Sequence, residues 1–377
     1  MIHNTPFGSS YSSLKKPATL FKKIDLALAL PLLGIIIYGL FILYSASSQD
    51  LYLVLKQGIR ILLGWGIIIV IIQTPQIFWQ KIAFLAYCTG LGLLIAVLLF
   101  GTDAKGAQRW ITIPGIMRFQ PSEIMKLAIP LMLASLFAHN ALPPKKKTLL
   151  LGVLAIIVPT VLIAKQPDLG TSLLIAYSGF MALMLAGFPW RYLAILTALS
   201  IPSTWVLWQY FMHAYQKQRV LTLLNPDADP LGYGWNIIQS KAAIGSGGID
   251  GKGWLNGTQS QLDFLPESST DFIIAVVGEE MGFKGIMLLF IFYFIICARG
   301  LLIAWNAKDT FGRLLAGTLT FTFFIYVFVN VGMVTGLLPV VGVPLPLVSY
   351  GGSSVVSLMA SLGFLFAIQA NTVHGQK

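Results

Sequence analysis

Apolar residues run along this chain in blocks of about twenty, separated by short polar stretches. A bilayer core about 30 Å thick needs roughly that many residues in a helix. The blocks fall at 24–45, 53–73, 79–100, 121–138, 149–164, 170–187, 190–211, 270–297, 312–335 and 346–370. Only Lys165-Gln-Pro-Asp168 separates the fifth and sixth, so they read as a hairpin broken at proline. The expected fold is an all-α integral membrane protein of about ten transmembrane helices. It has a large outer loop, about 212–269, between helices 7 and 8, and broken or re-entrant outer segments. Residues 1–22 read as a cytoplasmic tail and 23–377 as one polytopic membrane domain. Lys15, Lys16, Lys22 and Lys23 before the first block resemble a secretory leader, but the run from Ile24 to Leu43 is long enough to span.

Composition agrees. Of 377 residues, 56% are hydrophobic and 10% charged, with a mean hydropathy of +0.79; soluble domains carry about 25% charge. The net charge of +11 flanks apolar spans, so topology and anionic lipid explain it before nucleic acid does. With the N-terminus inside, thirteen Lys and Arg fall on inner loops and eight on outer ones, four of the eight in the long 212–269 loop. Both termini are therefore expected to be cytoplasmic. Of the fourteen acids, only Asp25 and Asp309 are inner. Cys88 and Cys297 fall in apolar runs and read as buried free thiols.

The outer polar segments hold the candidate chemistry. Gly101–Glu123 mixes Trp110, Ile111, Ile113 and Phe119 with Lys105, Arg109 and Arg118, which suits a segment lying on the bilayer, either as a spacer or as a phosphate contact. Glu123 and Lys126 share a helix face inside an apolar block, as a structural ion pair or a functional one. Lys126 is able to meet a phosphate as a point charge. Asp168 follows Pro167, where it reads as a helix cap or a functional acid. Five acids crowd Leu262–Gly285: Asp263, Glu267, Asp271, Glu279 and Glu280. Asp271 is expected in a first helical turn near the membrane surface, with Glu279 roughly 12 Å deeper. Such carboxylates must face protein or water. The glycine run Gly245–Gly253 fails the P-loop pattern, since Gly253 follows Lys252 where Ser or Thr is needed. It is left as backbone able to approach a sugar or phosphate. The proline-rich Gly336–Ser354 reads as the wall of a wet cavity. The four histidines stand alone, and no HExxH, CxxC or GxSxG is present, which leaves a zinc site or serine triad without support.

The segments KGAQRWI (105–111), RFQPSEIMKLA (118–128), KQPDLGTSLL (165–174), FLPESSTDFIIAVVGEE (264–280) and GVPLPLVSYGGSS (342–354) resemble the SEDS family (shape, elongation, division and sporulation), in the family's order and over nearly the whole chain. Their wording is closer to the family's elongation members than to its division members. The resemblance implies a ten-helix peptidoglycan glycosyltransferase of the cytoplasmic (inner) membrane, with its active site facing outward. Such an enzyme polymerises lipid II, an undecaprenyl-pyrophosphate-linked disaccharide pentapeptide. It works with a class B penicillin-binding protein and other elongation proteins, for cell elongation and rod shape. The family's essential acid falls on Asp271, its PSE-x-x-K pair on Glu123 and Lys126, and its PDLG acid on Asp168. Ser268-Ser269 stands where Arg-His is frequent.

The implied chemistry needs a base for the acceptor 4-hydroxyl, assigned to Asp271. It also needs positive charge for the leaving pyrophosphate, from Lys126, Arg109 and Arg118 or from a divalent cation, Mg or Mn. No nucleotide is required. Glu123, Asp168, Glu267, Glu279 and Glu280 complete the expected substrate site; any metal ligands are left open. Two other readings compete. A lipid II flippase also suits broken helices and intramembrane charge. A non-catalytic scaffold would be sensitive to its lipid-facing helices and not to its cavity charges.

Overall fold

The computed structural model describes residues 23–104, 107–113, 117–212, 214–225, 233–262, 264–265 and 267–374. The tail 1–22 and Lys105, Asp263 and Pro266 lie outside the described residues. A helix occupies each of the ten apolar blocks. These are α1 (Leu26–Ala46), α2 (Leu51–Gln73), α3 (Gln76–Phe100), α4 (Ser122–Ala138), α5 (Lys146–Lys165), α6 (Leu169–Leu185), α7 (Trp190–Val206), and then α11 (Ile273–Asn306), α12 (Thr310–Val334) and α13 (Gly352–His374). Seven of them, α1, α2, α3, α5, α11, α12 and α13, are long and apolar enough to cross a membrane; α6 is a shorter apolar helix.

Four aspartates start helices by accepting from free N–H groups: Asp25 for α1, Asp50 for α2, Asp168 for α6 and Asp309 for α12. Each such cap contributes about 1 kcal/mol. Asp25 and Asp309, the two acids expected on the inner side, are thus both caps. In the spanning windows of α12 and α13, 67% and 72% of residues are buried, against 28% in α3. These two helices are therefore the centre of the bundle. α13 lies along α2, and α12 contacts α4, α6, α9, α11 and α13.

The outer segments depart from the expected picture in three ways. The interfacial stretch after α3 is a small antiparallel sheet, β1 (Thr102–Ala104), β2 (Ala107–Ile113) and β3 (Met117–Phe119), in that order. The alternation Ile111-Thr112-Ile113 is the period of two that suits a strand. The long segment after α7 is mostly helical. A π-helical turn at Leu207–Phe211 leads to α8 (Ala214–Leu224), α9 (Tyr233–Gly247) and a short α10 (Thr258–Gln261). Finally, the eighth block is not one straight helix. Gly282 interrupts α11 with φ 65° and ψ −163°, a conformation that side-chain-bearing residues rarely adopt. Cys88 is exposed rather than buried, and Cys297 is half-buried.

Polar contacts between helix ends sort into two sets. At one end Arg299 pairs with Asp25 at 2.7 Å, and Gln76 donates to Asp309. Asn371 in turn donates to Gln76. At the other end Ser268 bonds Ala46, Gln166 bonds Leu94 and Gln120 bonds Asp168. This division is the one the lysine and arginine count assigned to the two membrane faces.

Candidate functional site

Asp271 lies on the turn 267–272, just before α11, whose N-cap is Phe272. It is thus one step outside the helical turn expected for it. The turn is fixed through its backbone. Asn330 of α12 gives one amide to Asp271 O at 2.8 Å and to Val343 O at 2.7 Å. Tyr350 N donates to Ser269 O at 2.8 Å, and Ser349 Oγ donates to Thr270 O. The proline-rich segment that delivers Ser349 and Tyr350 is itself held. Gln57 Nε2 of α2 bonds Ser349 O, and Tyr293 of α11 bonds Pro346 O. The Arg60 guanidinium stands 4.7 Å over the Tyr350 ring. The expected cavity wall is therefore also the strap that sets Asp271. Asp271 itself is half-buried, on a backbone that these bonds hold in place.

Val341-Gly342 joins this turn to the second acid. A Cβ on Gly342 (φ +73°) would sit 3.5 Å from Asp271 Oδ2, and one on Gly170 would sit 2.7 Å from Val341 O. The Asp168 turn and Asp271 thus lie on either side of one dipeptide. Asp168 is buried. It caps α6 through Thr171 N at 3.2 Å and accepts from Gln120 Nε2 at 3.2 Å. Arg109 Nη1 lies 3.8 Å from it, and Arg109 Nη2 donates to Pro167 O. Asp168 is a cap, as one of its two readings has it, and it also lies beside the Arg109 guanidinium. Arg109 Nε is buried and without a hydrogen-bond partner. Arg118 is placed by its backbone alone, on β3 opposite Thr112.

Glu123 and Lys126 form an ion pair at 2.6 Å with side chains only 6% and 11% exposed. Ser357 of α13 donates to Glu123 Oε2 at 2.6 Å, and Lys126 stands 4.9 Å over the Tyr326 ring of α12. The pair ties α4 to α12 and α13. Tyr326 lies one turn before Asn330 on α12 and packs with Val343, so the pair borders the Asp271 strap from within the bundle.

Glu279 and Glu280 do not face a substrate. Both are fully buried. Glu279 accepts from Lys252 Nζ at 2.7 Å, Thr258 Oγ1 at 3.0 Å and the backbone N–H of Gln259 and Ser260 at the start of α10. Glu280 accepts from Ser45 Oγ at 2.5 Å. Their expected contact with substrate is corrected to an anchoring role, because both side chains are fully buried against α1 and the segment before Asp271, where Glu280 Oε2 is left without a hydrogen-bond partner. The glycine run is corrected with them. Lys252 N and Gly253 N donate to Glu279 O and Glu280 O, and Phe283 N and Lys284 N donate to Gly248 O and Ile249 O. The run closes on the α11 break, backbone to backbone, and so is not a cradle for a ligand. Glu267 is exposed, and its Oε2 accepts from Thr270 Oγ1 at 2.7 Å within its own turn.

Asn330, Gln57, Arg60, Ser349 and Tyr350 were not singled out in the sequence. A lone amide in an apolar helix was the available signal for Asn330 and Gln57. Among the described residues no three His, Cys, Asp or Glu side chains converge as a metal cage. The site offers one half-open carboxylate, one partly exposed guanidinium beside a buried acid, and a buried ion pair behind them. That set suits deprotonating a hydroxyl next to an anionic group.

Known proteins resemble this chain over nearly its whole length. The FtsW/RodA/SpoVE family, described as cell cycle proteins, matches residues 20–374. Peptidoglycan glycosyltransferase MrdB of Escherichia coli K12 is 49% identical over 92% of this chain and 94% of its own. A probable peptidoglycan glycosyltransferase FtsW of Trichlorobacter lovleyi is 37% identical over 95% of this chain and 96% of its own. Among solved structures, a chain of a peptidoglycan synthase complex that coordinates polymerization and crosslinking superposes with a TM-score of 0.81 at 29% identity, covering 92% of this chain and 98% of that one. The rod shape determining protein RodA of Thermus thermophilus gives 0.70 at 26% identity, covering 92% and 97%.

Proposed function

The chain belongs to the FtsW/RodA/SpoVE family, the SEDS family of the sequence resemblance, and from that premise we propose that it is the peptidoglycan glycosyltransferase of cell elongation, polymerising lipid II. The observation that carries the mechanism is Asp271, a half-buried carboxylate whose turn is pinned by Asn330, Ser349 and Tyr350. Asp271 takes the proton from the acceptor sugar's 4-hydroxyl. The oxygen attacks the donor's anomeric carbon, a glycosidic bond forms, and the bond to the lipid pyrophosphate breaks with its electrons leaving on phosphate oxygen. The pyrophosphate is a good leaving group once its charge is met, so no second acid need protonate it.

Arg109 is the foremost cation for that charge, being 30% exposed in its side chain and fixed by Pro167 and Asp168. Lys126 is more deeply placed and paired with Glu123; it sets the potential behind the site. Arg118 is the third candidate. A divalent cation, Mg or Mn, would arrive with the pyrophosphate and take Asp271 or solvent as further ligands, the described residues offering no group of three His, Cys, Asp or Glu to cage it.

The enzyme sits in the cytoplasmic membrane with both termini, including the tail 1–22, inside and Asp271 outside. Its partner is a class B penicillin-binding protein that crosslinks the strands. The flippase is the alternative class, since it too would use intramembrane charge. Purified protein, mixed with that partner in a form inactive as a transpeptidase, is given labelled lipid II. Long glycan strands support the polymerase. Lipid II crossing liposome bilayers with no strands formed would replace it with the transporter.

A further inference from the structure

A cavity of about 570 Å³ opens between α5, α6 and α7, at the bundle end that carries Asp25 and Asp309. Its size falls among ligand sites, about 300–1,000 Å³. Val153 and Ile157 of α5, Phe180 and Leu183 of α6, and Tyr192 and Ile195 of α7 line it, with Lys146 at its rim. None of the described side chains of α7 is buried, so this helix stands off from the bundle and the gap runs along it.

The rim is cationic. The Arg191 guanidinium lies 5.0 Å over the ring of Tyr192, itself a lining residue. Lys145 and Lys147 flank Lys146, and both are exposed. From Lys145 to Asn225 the sole carboxylate in the sequence is Asp168, which caps the far end of α6. Exposed Trp190 and half-buried Tyr192 mark the headgroup level, where such rings settle. An acyl chain of any lipid could fill the gap; the rim selects among headgroups.

We propose that this cavity is a site for one anionic glycerophospholipid, its acyl chains between α6 and α7 and its phosphate at Lys146 and Arg191. A polyprenyl phosphate offers the same phosphate. The glycerophospholipid is chosen because the rim lies at the end opposite Asp271, where the substrate's pyrophosphate belongs; that choice rests on the function proposed above, whereas the binding does not. Bound lipid would replace the protein contacts that α7 lacks.

Native mass spectrometry of the full-length chain in detergent tests this, with phosphatidylglycerol titrated against phosphatidylcholine. One retained phosphatidylglycerol, preferred several-fold, is expected. Each cation near a phosphate is worth up to about five-fold, so Lys146→Gln with Arg191→Gln should abolish the preference. Val153→Trp, or Ile157→Phe should that variant fail to fold, fills the gap and should release the lipid with the rim intact. Lys308→Gln with Arg313→Gln, cations elsewhere on the same end, should change nothing. Equal retention of both lipids, or a preference unmoved by the rim and filling variants, would overturn the site. Undecaprenyl phosphate outcompeting phosphatidylglycerol there would overturn the assignment to a glycerophospholipid.

Discussion

Asn330 stands in an apolar helix and gives its amide to two backbone carbonyls, one of them that of Asp271. Asn330→Leu leaves both carbonyls buried without that donor, a cost of about 1–3 kcal/mol. Strand synthesis is expected to fall through kcat, with KM for lipid II nearly kept, because the base is displaced while the substrate's own contacts stay. Steady-state kinetics beside a thermal unfolding curve checks this; a change confined to KM would contradict it. Glu279 behaves in the opposite way. Glu279→Gln weakens the bond to Lys252 and the hold on α10, so it should lower thermal stability while activity per folded molecule stays within about two-fold. Single residues were unevenly legible in the sequence. Asp271, Glu123, Lys126 and Asp168 stood out because a charge is costly in an apolar run. The same reasoning misassigned Glu279 and Glu280, since a buried acid that anchors a loop and one that serves a substrate carry the same charge in the same kind of block. Their bonding partners alone separate them.

Among the elements, α11 shows what block length leaves out. Its apolar run reads as one helix, and Gly282 within it reads as an ordinary glycine. Yet a Cβ on Gly282 would lie 2.3 Å from Gly251 N, and one on Gly251 would lie 2.1 Å from Glu280 O. Two distant glycines are needed for one close backbone contact, and nothing local in either stretch announces the other. Gly251→Ala meets both a positive φ of 79° and this collision. It is expected to cost more than about 2 kcal/mol and to lower the unfolding temperature; an unchanged unfolding curve would show that the glycine run is not seated on α11. The small sheet β1–β3 was missed for a related reason. Apolar and cationic residues alternate there over so few positions that an interfacial coil and a strand read alike.

At the scale of the whole molecule, the ten blocks and their division between two ends were legible, because bilayer thickness sets helix length and successive spans alternate in direction; the side on which each end lies is the proposal that the cations support. Contacts of the Asp25–Arg299 and Gln76–Asp309 kind gather one set of loops, and those around Asp168 and Ser268 gather the other. In cells whose protein has Cys88 and Cys297 replaced, a membrane-impermeant maleimide should label Asp250→Cys from outside and leave Lys308→Cys unlabelled until the membrane is opened. The reverse pattern would invert the molecule and remove the active site from the outer face.

The proposed chemistry depends on Asp271, whose turn is fixed through backbone atoms that an isosteric amide leaves in place. The measurement is glycan polymerisation from labelled lipid II by wild type and Asp271→Asn, each with the class B penicillin-binding protein and at matched thermal stability. A general base contributes about 10²–10⁴-fold, so the variant should make at least about 100-fold less strand. Strand yield within a few-fold of wild type would contradict the assignment of Asp271 as the base.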